Sequence, residues 1–467
     1  MRALVALLAF TVASGTVYPV RMVFDSPTME VISEGVMWGT GQSPVGSKPS
    51  MIEVQLDVTV QGAGLGRRKS RVGVLITSQI DLAKQVSVDP ALRPLLLCQK
   101  DYATANFTAH FYDLPSKIHV AYEVERTGVE VVMLYVCPGD DADGAVSPAR
   151  FDGTVAFRNP YGYLAAATFG FLPYFAALAV LYLVTGLIYL CVLAQNKAFA
   201  ARLQWLVLAI FVLGFVETVS MFGLFAQINA TGETACCPVH PLAVITVVLN
   251  ALKRCGSRML LLVVCFGFGV TKTTLPFTQG CSVIMLGLAY LAVAINHDLQ
   301  FEVSGAPSAA AQRTNIPVVA VDFVFILWTL FSVDKIKAEL TESNQHAKLA
   351  MYGRLTVVLV VFIIGWCLLA MFELFAGHGY VAVEWQFHWL INSFWHSAYF
   401  ALLIAIAVIW RPSRLNQEQI WLQLAMHDDG YDEKEMAELD GDLDLEFNNG
   451  DEYDVDDDDM QFFDSTE

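Results

Sequence analysis

The sequence lacks the patterns that most soluble functions require. No stretch interleaves basic residues with aromatics, which excludes a nucleic-acid surface. There is no phosphate loop, no Ser-His-Asp order and no Cys-rich metal site, so no enzyme class suggests itself. Charge is also scarce. Only 16% of the 467 residues are charged, against 55% hydrophobic. The negative balance of -18 is not spread along the chain. Residues 426–467 hold 19 acidic residues and one base, Lys434, while the rest carries 27 of each sign. The acidity therefore describes one tail and not a surface built for cationic substrates.

What is present instead is apolar length. A mean hydropathy of +0.50 is too high for a soluble globular chain and points to a multispan membrane protein. The opening "MRALVALLAFTVASG" has one early Arg, a short apolar core and small residues at its end. That pattern predicts a cleaved signal peptide over 1–15 and places the following segment in the lumen.

Residues 16–165 read as a small antiparallel β domain, a sandwich. "MIEVQLDVTVQG", "SRVGVLITSQ", "KIHVAYEVER", "VEVVMLYVCPG" and "DGTVAFRNPYGY" are β-branched, partly alternating runs punctuated by Gly, Pro and Asp. Its only cysteines, Cys98 and Cys137, are expected to pair in an oxidising compartment. Asn106-Phe-Thr and Asn229-Ala-Thr are glycosylation acceptor patterns on the expected lumenal side.

Residues 166–412 contain seven long apolar runs, at about 169–194, 203–227, 241–270, 276–295, 316–333, 355–376 and 387–410. Each is long enough, or nearly so, to cross a bilayer as a helix. An odd number of spans with a lumenal start puts the C-terminus in the cytosol. Basic residues agree: nine, from Lys197 to Arg414, fall on the predicted cytosolic side and only Arg313 in a lumenal loop. The tail, 413–467, is too acidic to bury a core and is expected to be disordered, either solvated or read by cytosolic coat or adaptor proteins.

One span breaks the rule that made it recognisable. "VITVVLNALKRCGSRMLLLVVCFGFGV" carries Lys253, Arg254 and Arg258 near mid-membrane, where each charge costs about 2.5–3.5 kcal/mol by insertion scales. Asn250, Arg254 and Arg258 are spaced by four and share one helix face. Such a stripe faces a bundle interior or a wet cavity. Glu217, Asp322 and Glu373 in other spans are candidate counter-charges, and His388, Asn392 and His396 form a second stripe in the last span. Glu217 or a lipid phosphate is expected to meet Lys253, Arg254 and Arg258. These ten residues are either an ion-pair lock on helix packing or a cavity for a lipid headgroup, an ion or a cargo segment. His388 and His396 lie two turns apart, about 12 Å of rise, too far to share a zinc at about 2 Å per bond.

Three motifs carry a resemblance. "NPYGYL" (159–164) leads into the first span, "LKRCGSRMLLLVVCFGFGVTK" (252–272) fills the third, and "FWHSAYFALLIAIAVIWRPSRLNQ" (394–417) the last. Together they resemble the lung seven-transmembrane receptor family, the GOLD-domain seven-transmembrane proteins, and within it the transmembrane protein 87 branch. "TKTTLP" departs from the Lys-Pro then Leu-Gly usual at that loop. The resemblance implies a Golgi and endosomal membrane protein that supports retrograde transport to the trans-Golgi network or escorts membrane cargo. It also implies a bundle cavity of phospholipid size. A mechanically gated cation channel is the alternative it suggests. No Asp-Arg-Tyr motif closes the third span, which argues against G-protein coupling.

Overall fold

The structure, a computed structural model, describes residues 17–24, 29–60, 71–80, 108–137, 149–197, 202–233, 240–268, 276–304, 309–343, 345–377 and 384–411. The expected signal peptide, Cys98, Asn106 and the acidic tail lie outside the described residues.

Eight strands form two four-stranded antiparallel sheets. They are β1 (Val17–Phe24), β2 (Met29–Met37), β3 (Met51–Val60), β4 (Arg71–Ser78), β5 (Thr108–Asp113), β6 (Ser116–Glu123), β7 (Gly128–Cys137) and β8 (Ala149–Arg158). The orders are β1-β8-β3-β6 and β2-β7-β4-β5. In β3 the even positions Ile52, Val54, Leu56 and Val58 turn inward and are buried, while Gln55 and Asp57 face out. This is the period-2 pattern of a strand with one wet face. Across the sandwich they meet Val72, Val74, Val132 and Leu134 in one core. Each such burial contributes about 1.5–3 kcal/mol, which makes this core the domain's main support.

Gly153 in β8 sits where a Cβ would lie 2.1 Å from the Gln55 carbonyl oxygen and 2.8 Å from Leu56 Cα. Backbone cannot yield as a side chain can. Gly153→Ala should therefore push β8 off β3 and cost at least the ~1–3 kcal/mol of an overpacked core. Thermal unfolding of the β domain checks this, and an unchanged midpoint would refute the tight approach.

Seven long helices follow: α1 (Phe171–Gln195), α2 (Arg202–Thr231), α3 (Pro241–Cys265), α4 (Phe277–Ser304), α5 (Ala309–Glu342), α6 (His346–Gly377) and α7 (His388–Ile409). Six regions are long and apolar enough to cross a membrane. The exception is α3, because of its three cations. Exposed apolar side chains such as Val180, Val184, Leu187 and Ile188 on α1 form the kind of surface that hydrocarbon solvates. Several helices outrun the apolar stretch that marks them: α5 continues to Glu342 and α4 to Ser304.

The β domain is spliced to the bundle by side-chain amides. Asn159, buried at the end of β8, donates from Nδ2 to the Leu164 carbonyl at 3.0 Å and accepts the Trp38 N–H on Oδ1 at 3.0 Å. Gly162 turns the chain at φ 147°. Asn229, in the last turn of α2, donates from Nδ2 to Tyr161 O at 3.1 Å and accepts the Leu164 N–H at 3.2 Å. The start of β1 pairs beyond the end of α2, with Val17 N donating to Gly232 O at 3.0 Å. Trp38 packs edge-on against Trp385, just before α7, at 5.2 Å between centroids. The "NPYGYL" motif is thus a hydrogen-bonded joint.

Asn229, the expected glycan acceptor, lies within a helix and directs its amide nitrogen to the joint. Glycan mapping of secretory-pathway material should find Asn229 unmodified. Full occupancy at Asn229 would overturn the assignment. Cys137 is not among the free thiols of the described residues, and its expected partner Cys98 lies outside them.

Candidate functional site

The site grows from α3. Its spacing sends the three cations toward three neighbouring helices, and each meets a carboxylate. Lys253 Nζ lies 2.8 Å from Glu217 Oε2 on α2, with side chains 2% and 0% exposed. His396 of α7 completes this group, with Nδ1 3.0 Å from Lys253 Nζ and 3.4 Å from Glu217 Oε1. Arg254 is ion-paired with Asp298 on α4. Arg258 places Nε 2.6 Å from Asp322 Oδ1 on α5 and donates from Nη2 to Oδ2 at 2.9 Å.

Local structure explains these positions. Glu217 sits deep because α1 and α2 approach closely: a Cβ on Gly214 would lie 2.3 Å from the Tyr182 ring. Thr218 beside it returns its hydroxyl to the Gly214 carbonyl at 2.9 Å. Arg258 is held from three more directions. Its guanidinium lies 4.5 Å from the Tyr290 ring centroid and 5.2 Å from that of Tyr399. Its Nη1 donates to the Arg254 carbonyl at 3.1 Å. A cation between two aromatic faces gains further electrostatic stabilisation.

Glu217 meets the cluster at Lys253, while Arg254 is met by Asp298, which the apolar pattern does not flag. With formal charges on every group, three cations face three carboxylates, so the cluster needs no external phosphate for neutrality. Asn250 Oδ1 is buried without a hydrogen-bond partner among the described residues. Glu373, His388 and Asn392 lie outside the described side chains. Among the described residues no three His, Cys, Asp or Glu side chains converge as metal ligands.

Beside the cluster lies a cleft between α3, α5, α6 and α7. Its walls are largely apolar, including Phe325, Phe362 and Trp366. Ser257, Tyr399 and the Arg258–Asp322 pair supply its polar end.

A β sandwich joined to seven apolar helices, with a charge-matched cluster at the bundle centre, defines a seven-helix membrane protein. The chain belongs to the family described as "GOST, seven transmembrane domain", which matches residues 171–417. Among curated relatives it is 25% identical to transmembrane protein 87B of Mus musculus over 283 residues, covering 60% of this chain and 50% of that protein. It is 26% identical to mouse transmembrane protein 87A over 292 residues, 61% and 50% of the two chains. It is 28% identical to membrane protein PTM1 of Saccharomyces cerevisiae over 300 residues, 62% and 55% of the two chains. The match thus spans about half the length of these relatives. They place the chain in the transmembrane protein 87 branch of its family.

Proposed function

We propose that the protein supports membrane trafficking at the Golgi and endosomes, with the cleft beside Arg258 and Asp322 holding a phospholipid or a segment of membrane cargo. The carrying observation is the cleft itself: an apolar slot ending in a paired cation and anion. An apolar wall suits acyl chains, and the Arg fork suits a phosphate or carboxylate. In this reading the β domain is lumenal, the far end of the bundle is cytosolic, and the protein performs no catalysis. A conducting pore fits less well. Conduction needs a continuous polar path, and Glu217 and Lys253, the paired charges at this level of the bundle, are buried against each other and not exposed to a channel.

The test replaces both members of the pair. Arg258→Met with Asp322→Leu removes the polar end without stranding a charge. The purified variant should remain monodisperse and lose its co-purified phospholipid, read by lipid mass spectrometry. It should also fail to restore Golgi or endosomal cargo in cells lacking the protein. Unchanged lipid content and full restoration of cargo would sink the proposal.

A further inference from the structure

The two ends of α6 are held differently. Toward the end away from the β domain, buried positions recur with helical spacing at Lys348, Tyr352, Leu355 and Leu359. Tyr352 anchors this end. Its hydroxyl donates to the Val264 carbonyl of α3 at 3.1 Å, and its ring meets that of Trp410 edge-on at 5.9 Å. Leu355 and Leu359 join the core formed there by Val264, Leu402 and Ile406. Past Leu359 the pattern stops. None of the described side chains from Val360 to Phe375 is buried. Each of the other six helices buries at least one side chain in its half nearer the β domain: Phe175, Ile228, Val247, Ala294, Val318 and Ser393.

This unanchored length of α6 is one wall of the cleft. Phe362, Ile363 and Trp366 line it together with Phe325, Ile326 and Thr329 of α5. The contacts toward α7 do not interlock. The Phe362 ring centroid lies 5.8 Å from that of Tyr399, and a Cβ on Gly365 would come no nearer than 3.7 Å to Phe394. Moving this length outward is nearly neutral, because its apolar side chains exchange protein neighbours for acyl chains that are as apolar as leucine. The Tyr352 end has no such freedom. Displacing it would break a buried hydrogen bond and open a packed core.

We infer that α6 is a hinged wall. It pivots about its Tyr352–Leu359 end, and the length beyond Leu359 swings outward to admit the occupant of the cleft from the bilayer. This rests on the cleft being the binding site proposed above. The motion suits an occupant whose acyl chains already lie in the membrane. It also reaches the polar end, because Phe362 packs on Tyr399, one of the two rings that flank Arg258.

Pairs of spin labels on genetically encoded keto side chains, which spare the native cysteines, test this in the full-length protein. One pair joins Met371 of α6 to Val219 of α2, and the other joins Val357 of α6 to Leu206 of α2; all four positions are exposed. Met371 lies 12 residues past Leu359 and Val357 two before it, roughly 18 and 3 Å along the axis. A pivot at Leu359 should therefore displace Met371 about six times as far as Val357. Double electron–electron resonance compares delipidated protein in detergent with the same protein after incubation with phosphatidylcholine. Lipid mass spectrometry after gel filtration reports what is retained. The Met371 distance should change severalfold more than the Val357 distance. Equal changes in both pairs, or no change in either, would overturn the hinge, and phospholipid retained in those samples would still support the cleft. A change at Met371 alone with no phospholipid retained would support the hinge and count against the cleft as a lipid site.

Discussion

Glu217→Ala should destabilise the bundle by about 3–5 kcal/mol, because it leaves the Lys253 ammonium buried without its anion. Lys253 is 1% exposed, and His396 Nδ1 is the other polar atom recorded within reach of its Nζ. The effect is one of stranding and not of lost attraction. Glu217→Leu combined with Lys253→Met should therefore recover most of the stability, since a buried pair replaced by apolar side chains of similar volume is often neutral or better. Thermal unfolding followed by fluorescence-detected gel filtration separates these outcomes. A double variant as unstable as Glu217→Ala would mean that the pair matters for some reason other than charge.

The second large effect follows from the pairing of Arg254. Asp298→Ala should destabilise by a comparable amount, reduced because the two side chains are 16–21% exposed. Arg254→Met should rescue it. Glu217→Gln should not compensate Arg254→Ala, because Glu217 serves Lys253. Melting temperatures of the four variants decide the matter, and rescue of Arg254→Ala by Glu217→Gln would contradict the assigned partners.

The four central strands, one edge strand (β6) and the spans were legible in the sequence because burial imprints a period. β3, β4, β6, β7 and β8 coincide with the β-branched runs. The three strands that the pattern does not mark, β1, β2 and β5, are all sheet edges. Edge strands tolerate what central ones cannot: β1 holds Pro19, and β2 shifts register between Val31 and Ser33. Asp298 was hidden for a related reason. It sits in "INHDLQ", beyond the apolar part of the fourth span, yet α4 runs on to Ser304 and carries it to Arg254. Hydropathy marks where lipid would be, and not where a helix stops. The polar stripe on α3 was readable from its spacing alone. Which carboxylate meets which cation was not, because that depends on how four helices pack. Asn229 shows the same gap. Its tripeptide reads as a surface acceptor, and only the tertiary contact with Tyr161 and Leu164 gives the amide another task.

The allocation of α3's partners bears on how the chain is made. Synthesis delivers α2 first, then α3, and only later α4 and α5. When α3 leaves the ribosome, Glu217 is in place to receive Lys253, but Asp298 and Asp322 have not been translated. Two arginines, each costing about 2.5–3.5 kcal/mol at mid-bilayer, must wait for them. α3 released alone would therefore carry about 5–7 kcal/mol of unpaired arginine cost, and α2 to α5 are expected to settle in the bilayer as one block, which a time course of membrane integration of truncated chains would check.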